Sequence, residues 1–351
     1  MIHATINGIP VEVERGTTIL QAAEKVGVEI PTLCYLKHLA PEGACRICVV
    51  EVKGWNKLVT ACSTHIGEGY EVLTESPKVC EARRDVLDLL MSQHNTHCFS
   101  CGANGDCKLQ TYCMRYGLEE STFPKGEFTE VVDSSNEFFQ FDPTLCIRCR
   151  CCVNTCEKLT GRNAICNMDR GIHAHIGAPF GLKWDQSICE SCGCCVQACP
   201  TGALTMKRTK TYRKWETKKV LTTCPHCATG CQYYLLVKDG KIVDVEGADG
   251  PSNHGLLCVK GRSGSFDFVH SKRRLTEPMI RNRETNEWRT ASWDEALDLV
   301  ASKFLEIKEK YGPDSLAGFA CSRSTNEDIY MLQKMVRTAF GTNNTDNCAR
   351  V

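Results

Sequence analysis

The chain has no excess of either charge: 42 lysines and arginines stand against 42 acidic side chains in 351 residues. That balance removes the electrostatic case for binding nucleic acid or an anionic membrane. No window approaches the roughly eighteen consecutive apolar residues that a membrane-spanning helix needs. The opening stretch, MIHATINGIPVEVERGTTI, lacks a basic-then-apolar signal pattern. The pairs Arg83-Arg84 and Arg273-Arg274 lie too far inside to act as export signals. These absences lead us to expect a cytoplasmic protein with no membrane span and no nucleic-acid partner. Its length allows roughly two to four domains.

What the chain has in abundance is cysteine, 26 in all. Secreted disulfide scaffolds are short and enter through a signal peptide. Here the cysteines come in tight two- and three-residue spacings, separated by long stretches almost free of them. Two cysteines so close on one loop seldom pair with each other but readily share a metal centre, so metal clusters are the expectation.

Hydrophobic patterning suggests an α+β, multidomain chain. HATINGIPVEV alternates like a strand pair around Asn7-Gly8, a favoured two-residue hairpin turn. TTILQAAEKVG has helical spacing at Ile19, Ala22 and Val26 and stops at Gly27. CRICVVEV and KLVTACST read as further strands, so residues 1–78 form a small ferredoxin-like α+β unit. Residues 79–118 read as a largely helical segment, with Val86, Leu89 and Leu90 on one face. A polar linker opens the unit 119–212, whose residues 141–210 repeat one motif twice. YYLLVKDGKIVDVEG predicts a hairpin around Asp239-Gly240 within a unit spanning 217–272. From 273 to 351 the pattern turns to α/β. SWDEALDLVASKFLEIKEKYG is an amphipathic helix with Ser292 as N-cap and Glu295 in the capping-box position. SLAGFA is a short strand, and TNEDIYMLQKMVRTAFG a second helix ending at Gly341. Thr342, Asn343, Asn344 and Asp346 read as a polar loop, with Cys348 close behind.

The doubled motif is the most specific signal. Cys146, Cys149, Cys152 and Cys156 have C-x2-C-x2-C-x3-C spacing, and Cys189, Cys192, Cys195 and Cys199 repeat it, followed by Pro200. In this arrangement one loop wraps three corners of a cubane and the fourth cysteine reaches the other cluster. Cys146, Cys149, Cys152 and Cys199 are therefore assigned to one [4Fe–4S] centre, and Cys189, Cys192, Cys195 and Cys156 to a second. Zinc ribbons also use paired C-x2-C units, but a doubled eight-cysteine run makes a poor one. Cys34, Cys45, Cys48 and Cys62, three from one loop and one from a later strand end, point to a [2Fe–2S] centre, with Gly43 and Ala44 leaving room for backbone approach. Cys98, Cys101 and Cys107 with His94 or His97 suit either a [4Fe–4S] cluster or a Cys3His zinc site. Cys224, Cys227, Cys231 and Cys258 give a fifth set, again read as [4Fe–4S]. Cys80, Cys113, Cys151, Cys166, Cys194, Cys321 and Cys348 are given no role. One [2Fe–2S] and four [4Fe–4S] clusters on one chain suggest an electron relay between two redox partners.

The first 210 residues, through CRIC, HNTHCFSCGANGDCKLQ and the doubled run, resemble the iron–sulfur region shared by three families. These are NADH:quinone oxidoreductase large iron–sulfur subunits, [FeFe] hydrogenases and NAD-linked formate dehydrogenases. The resemblance implies a β-grasp fold for the first unit and His94, rather than His97, beside the three cysteines. Residues 217–351, through CPHCATGC and GLLCVKGR, resemble the opening of the molybdenum/tungsten bis-pterin oxidoreductases. It implies the start of a molybdopterin oxidoreductase α/β fold, with Lys260 as the residue that helps pass electrons between cluster and pterin. GTNNTDNCARV is similar to the formate dehydrogenase segment leading into a metal-ligating selenocysteine or cysteine, which would fall just after Val351. The resemblance thus implies a UGA codon there, with the catalytic histidine and arginine downstream. It further implies a Mo- or W-bis(pterin guanine dinucleotide) in the full-length protein and interconversion of formate and CO2. Electrons would pass to a flavin/NAD(P)-binding diaphorase subunit, ferredoxin or a hydrogenase subunit, and the 351-residue segment alone would be inactive on formate. A large NADH:quinone oxidoreductase subunit, or a stand-alone multi-cluster electron carrier, is the alternative.

Overall fold

The computed structural model describes residues 1–127, 131–208, 212–264 and 266–349, in two compact units, 1–216 and 217–351. Val351, after which the metal-ligating residue was expected, lies outside the described residues. Among those described, no helix is long and apolar enough to cross a membrane.

The first unit begins with β1 (Ile2–Ile6) and β2 (Ile9–Val13), paired in register from Ile2↔Val13 to Ile6↔Ile9. Asn7 and Gly8 turn between them with φ of 51° and 80°. Both central residues of such a turn need positive φ, which asparagine and glycine tolerate best. Helix α1 (Ile19–Lys25) follows, its N-cap Thr18 and Gln21 exchanging a reciprocal capping box. With β3 (Val49–Val52), β4 (Val59–Thr60) and β5 (Glu71–Leu73) the strands form one mixed sheet, order β2-β1-β5-β3-β4, in which β1 and β5 run parallel. Ile6, Val50, Val52 and Val72 pack on Ile19, Ala22 and Ala23 as its core.

The largely helical segment expected over 79–118 holds two helices, α2 (Pro77–Ser92) and α3 (Lys108–Arg115), with the cysteine-bearing loop between them. The buried stripe of α2 differs from the sequence expectation. Val79, Arg83, Leu87 and Met91, an i, i+4 row, face inward, while Leu89 is 54% exposed and Val86 and Leu90 are half-buried. The stripe was masked because an arginine stands in it. The Arg83 side chain is 0% exposed, donates to the Val49 carbonyl at 2.8 Å and to Tyr116 Oη at 2.6 Å, and pairs with Glu75 at 2.8 Å. A buried guanidinium is tolerable when its N–H groups meet such partners.

The repeat region sets β6 (Phe139–Phe141) antiparallel to β9 (Leu204–Met206) and β7 (Cys166–Met168) antiparallel to β8 (His175–Gly177). Short helices α4 (Cys151–Asn154) and α5 (Cys194–Ala198) start inside the two motifs. Trp184 packs edge-on against Phe139 and Phe141 beneath them.

The second unit opens with an antiparallel meander, β10 (Lys218–Thr223), β11 (Gln232–Lys238) and β12 (Lys241–Gly247), turning at Asp239-Gly240 as expected. Then come α6 (Val259–Ser263) and the hairpin β13 (Met279–Arg281)–β14 (Trp288–Thr290). Helix α7 (Trp293–Tyr311) is N-capped by Ser292, which accepts from Glu295 N at 3.1 Å. Only this half of the capping box forms, because the Glu295 carboxylate pairs with Arg289 on β14 instead. β15 (Gly318–Ala320) and α8 (Asn326–Met335) follow, and a wide helical turn carries the chain to Gly341 at φ 80°. The polar stretch after it is not all loop. Thr345–Asn347 forms β16, parallel to β15, because Gly318 N–H donates to the Asn344 carbonyl and starts the ladder. A Cβ on Gly318 would lie 2.5 Å from Val336 Cγ2, so close packing reserves this position for glycine.

The burial pattern of α2 yields a contrast. Leu87→Ala should cost about 2–5 kcal/mol of stability, whereas Leu89→Ala should stay within about 0.5 kcal/mol. Urea unfolding of the two variants, with unchanged slope, measures the difference.

Candidate metal centres

Cys34, Cys45, Cys48 and Cys62 are brought together in the first unit. The Cys45 N–H donates to Cys34 Sγ at 3.4 Å, and the Cys48 and Cys62 sulfurs lie 3.4 Å apart. Cys34 and Cys48 are pushed up by hydrogen bonding to Cys45 and Cys62 and by burial, while the Cys34 thiol holds Cys45 down at about 7. Charge on Cys34 also bears on Cys62. Arg46, at φ 62°, bends the loop between Cys45 and Cys48.

His94, Cys98, Cys101 and Cys107 line one cavity of about 270 Å³ with Asn104, Gln110, Leu145 and others. His97, the competing nitrogen, is not among its lining residues. His94 is buried, and its Nδ1 has no hydrogen-bond partner among the described atoms. An orphaned ring nitrogen inside a ring of thiols is costly unless a cation takes its lone pair. Burial pulls the His94 ring below its ordinary value and pushes Cys107 up to about 11. Backbone N–H groups of Ala103 and Gln110 point at Cys101 and Cys107, both at 3.5 Å.

The two repeat cavities have crossed linings. Cys146, Cys149, Cys152 and Cys199 share one of about 300 Å³, and Cys156, Cys189, Cys192 and Cys195 share one of about 360 Å³. Crossing follows from the short helices, which carry the last cysteine of each motif away from its own loop. Within the loops the backbone is left-handed at matching places, Arg148 and Ser191, then Arg150 and Gly193, with φ of 55°, 56°, 63° and 70°. Left-handed geometry costs a non-glycine residue about 1–2 kcal/mol. Here it aims N–H groups at sulfur: Arg148 at Cys146 and Ser191 at Cys189, both 3.4 Å. Ala164 N–H similarly meets Cys156 at 3.3 Å. Burial raises Cys146 to about 12 and raises Cys152 as well.

In the second unit, Cys224 N–H donates to the Cys231 carbonyl at 2.8 Å, closing the loop that carries Cys227. Charges on Cys224, Cys227 and Cys258 all bear on Cys231. Cys227 is held below its ordinary value by Thr229, with Arg323 and Lys260 contributing positive charge. Lys260 is exposed on α6, two residues past Cys258.

The donor chemistry fits iron–sulfur clusters, with thiols crowded in apolar cavities, N–H groups aimed at them and the His94 ring nitrogen unsatisfied beside three thiols. Sequence reasoning missed Gly202, whose Cβ, if present, would lie 2.3 Å from Cys101 Sγ. It lies on the ferredoxin-like segment, so nothing near Cys101 in sequence could reveal it. Asn136 was missed as well, donating to Ser191 Oγ at 2.9 Å and lying 3.9 Å from Cys189 Sγ.

Five family models match separate stretches of the chain. Residues 1–77 match the 2Fe-2S iron-sulfur cluster binding domain, and 83–122 the NADH-ubiquinone oxidoreductase-G iron-sulfur binding region. Residues 182–205 match a 4Fe-4S binding domain, 217–270 the molybdopterin oxidoreductase Fe4S4 domain and 274–351 molybdopterin oxidoreductase. The chain is 38% identical, over its whole length, to NADPH-Fe(3+) oxidoreductase subunit alpha of Geobacter sulfurreducens. It is 37% identical, again over its whole length, to a G-type subunit of NADH-quinone oxidoreductase from Rhizobium meliloti. It is 32% identical over 99% of its length to a Bacillus subtilis protein named "Putative formate dehydrogenase YrhE". In each case it spans 40% of the relative's length. A chain of an NAD+-reducing [NiFe]-hydrogenase superposes with a TM-score of 0.57 at 28% identity, covering 60% of this chain and 90% of that one.

The crossed cavities make a specific expectation. Cys199→Ser should disturb the centre of Cys146, Cys149 and Cys152 and spare that of Cys189, Cys192 and Cys195. Iron counting with electron paramagnetic resonance would check this, and loss of the second signal instead would refute the crossing. In parallel, His94→Ala should remove one cluster signal and His97→Ala none.

Proposed function

We propose that this chain, the iron–sulfur electron-transfer part of a molybdopterin oxidoreductase, is a relay joining a pterin-held metal site to a partner redox subunit. The five cysteine-rich sets hold its clusters, and Lys260 stands between the last of them and the pterin. Each cluster, when bound, takes up and releases one electron. The chain's own residues hold the sets in contiguous apolar surroundings. Cys34, Cys107 and Cys149 pack in one cluster of buried side chains, with Cys45 and Cys101 against it. Cys152 and Cys195 pack in the next, with Cys146, Cys156, Cys189 and Cys199 against it. Cys149 of the first cluster and Cys152 of the second line one cavity, and this link across four sets is the observation that carries the proposal. Aimed N–H groups stabilise sulfur charge and so set each potential.

The substrate reading is interconversion of formate and CO2 by the longer protein, with molybdenum or tungsten on a bis-pterin and a selenocysteine or cysteine ligand. A second reading has equal support from the Rhizobium relative: a large iron–sulfur subunit of an NADH:quinone oxidoreductase, fed by a flavin subunit. One experiment separates them. The full-length protein, purified anaerobically with its partners, should contain molybdenum or tungsten, and formate should bleach its cluster absorbance. Absence of both metals, with bleaching by NADH or NADPH alone, would favour the second reading.

A further inference from the structure

The stretch before β6 reads as polar linker, yet it supplies a buried side chain at one of the cysteine loops. Asp133 and Phe141 exchange two backbone hydrogen bonds, of 2.8 and 2.9 Å, and Ser135 Oγ accepts from Trp184 N at 2.9 Å. Fastened in this way, the stretch buries Asn136, which is 3% exposed. Its Oδ1 accepts from the N–H groups of Phe138 and Phe139 at 2.9 and 3.2 Å. These two backbone donors fix which way the amide points, because only its oxygen can accept them. The Nδ2 end therefore faces the second cysteine motif. It donates to Ser191 Oγ at 2.9 Å and lies 3.9 Å from Cys189 Sγ. Ser191 has a left-handed backbone, at φ 56°, and its N–H meets the same sulfur at 3.4 Å. Serine takes up that conformation at a cost, so surrounding contacts must hold it there. In the first repeat the matching place belongs to Arg148, which has no hydroxyl for such an amide to fasten.

We propose that Asn136 is a positioning residue for the centre of Cys156, Cys189, Cys192 and Cys195, its amide nitrogen pinning the Ser191 turn so that the Ser191 N–H meets the Cys189 sulfur. This rests on that set holding a cluster. Bound to iron, the Cys189 sulfur has no proton and can only accept. A donor held against a ligating sulfur stabilises the reduced, more negative state and raises the potential. The amide nitrogen, itself 3.9 Å from that sulfur, adds a partial positive charge in the same sense. Without the pin, the Ser191 turn relaxes, its N–H leaves the sulfur and the potential falls. The effect belongs to the second repeat alone, because the pinned hydroxyl does.

The test uses the full-length holoprotein, purified anaerobically, as wild type, Asn136→Ala and Ser191→Ala. Cys192→Ser identifies which electron paramagnetic resonance signal belongs to this centre. Each protein is titrated with dithionite and its signals are followed. We expect Asn136→Ala and Ser191→Ala to keep every cluster and to lower the midpoint of this one [4Fe–4S] centre. Ser191→Ala removes only the hydroxyl, leaving the backbone N–H and the amide's bonds to Phe138 and Phe139 in place. An unchanged midpoint in either variant, or an equal fall in every [4Fe–4S] centre, would overturn the proposal. Should Asn136→Ala lose the cluster, Ser191→Ala decides: a fall in this centre alone supports the pin, and an unmoved midpoint rejects it. Wild-type protein without a signal that Cys192→Ser removes would sink the ligand assignment itself, and is seen before either variant is titrated.

Discussion

Sulfur crowding is the constraint on which the rest of this structure depends. Four thiols facing one small apolar cavity cannot all ionise, because burial and mutual repulsion push them up, as at Cys146 and Cys152. Left as neutral thiols they would be poor filling for a core. Iron bound there would resolve the conflict by supplying positive charge where the thiolates converge. The repeated left-handed turns at Arg148, Arg150, Ser191 and Gly193 make sense in that light. Their backbone cost is offset by N–H groups directed at sulfur.

Around those cavities the scaffold holds the loops still. Arg83 ties α2 to β3 through the Val49 carbonyl and to α3 through Tyr116, so the helices that flank the His94 cavity are fastened to the N-terminal sheet. Gly202 lets the segment after Cys199 lie against Cys101, where any side chain would collide with the sulfur. Thr201 Oγ1 donates to the Leu145 carbonyl at 2.9 Å, beside the same cavity. Neighbouring sets in the first unit therefore share walls of packed protein.

The second unit is organised differently. Its cysteine loop hangs from the β10–β11–β12 meander, closed by the Cys224–Cys231 backbone bond and by Asn253, which donates to Gln232, Ala248 and Leu256 carbonyls. Beyond it, α7 has no buried residue, and the small core of Leu316, Val336 and Phe340 rests on Ile307. Much apolar surface on α7, including Leu297 and Leu305, faces outward among the described residues.

Sequence alone determined whatever depends on local spacing. Cysteines two or three apart on one loop, Asn-Gly and Asp-Gly turns, and Ser292 as an N-cap all follow from the reach of a few bonds. The linings of the two repeat cavities cross between motifs, because a short helix after each loop carries its fourth cysteine away. What needed the tertiary structure was everything set by partners distant in sequence. The inward face of α2 was hidden because its key residue is a charged arginine, neutralised only by Glu75, Tyr116 and a strand carbonyl. Glu295 turned from its own N-cap to Arg289, and a polar stretch became β16 because β15 offered it an edge. Gly202 matters through a contact about 100 residues away in sequence. Periodicity and spacing report what neighbours along the chain can do, but burial and hydrogen bonding are decided by whichever groups folding brings together.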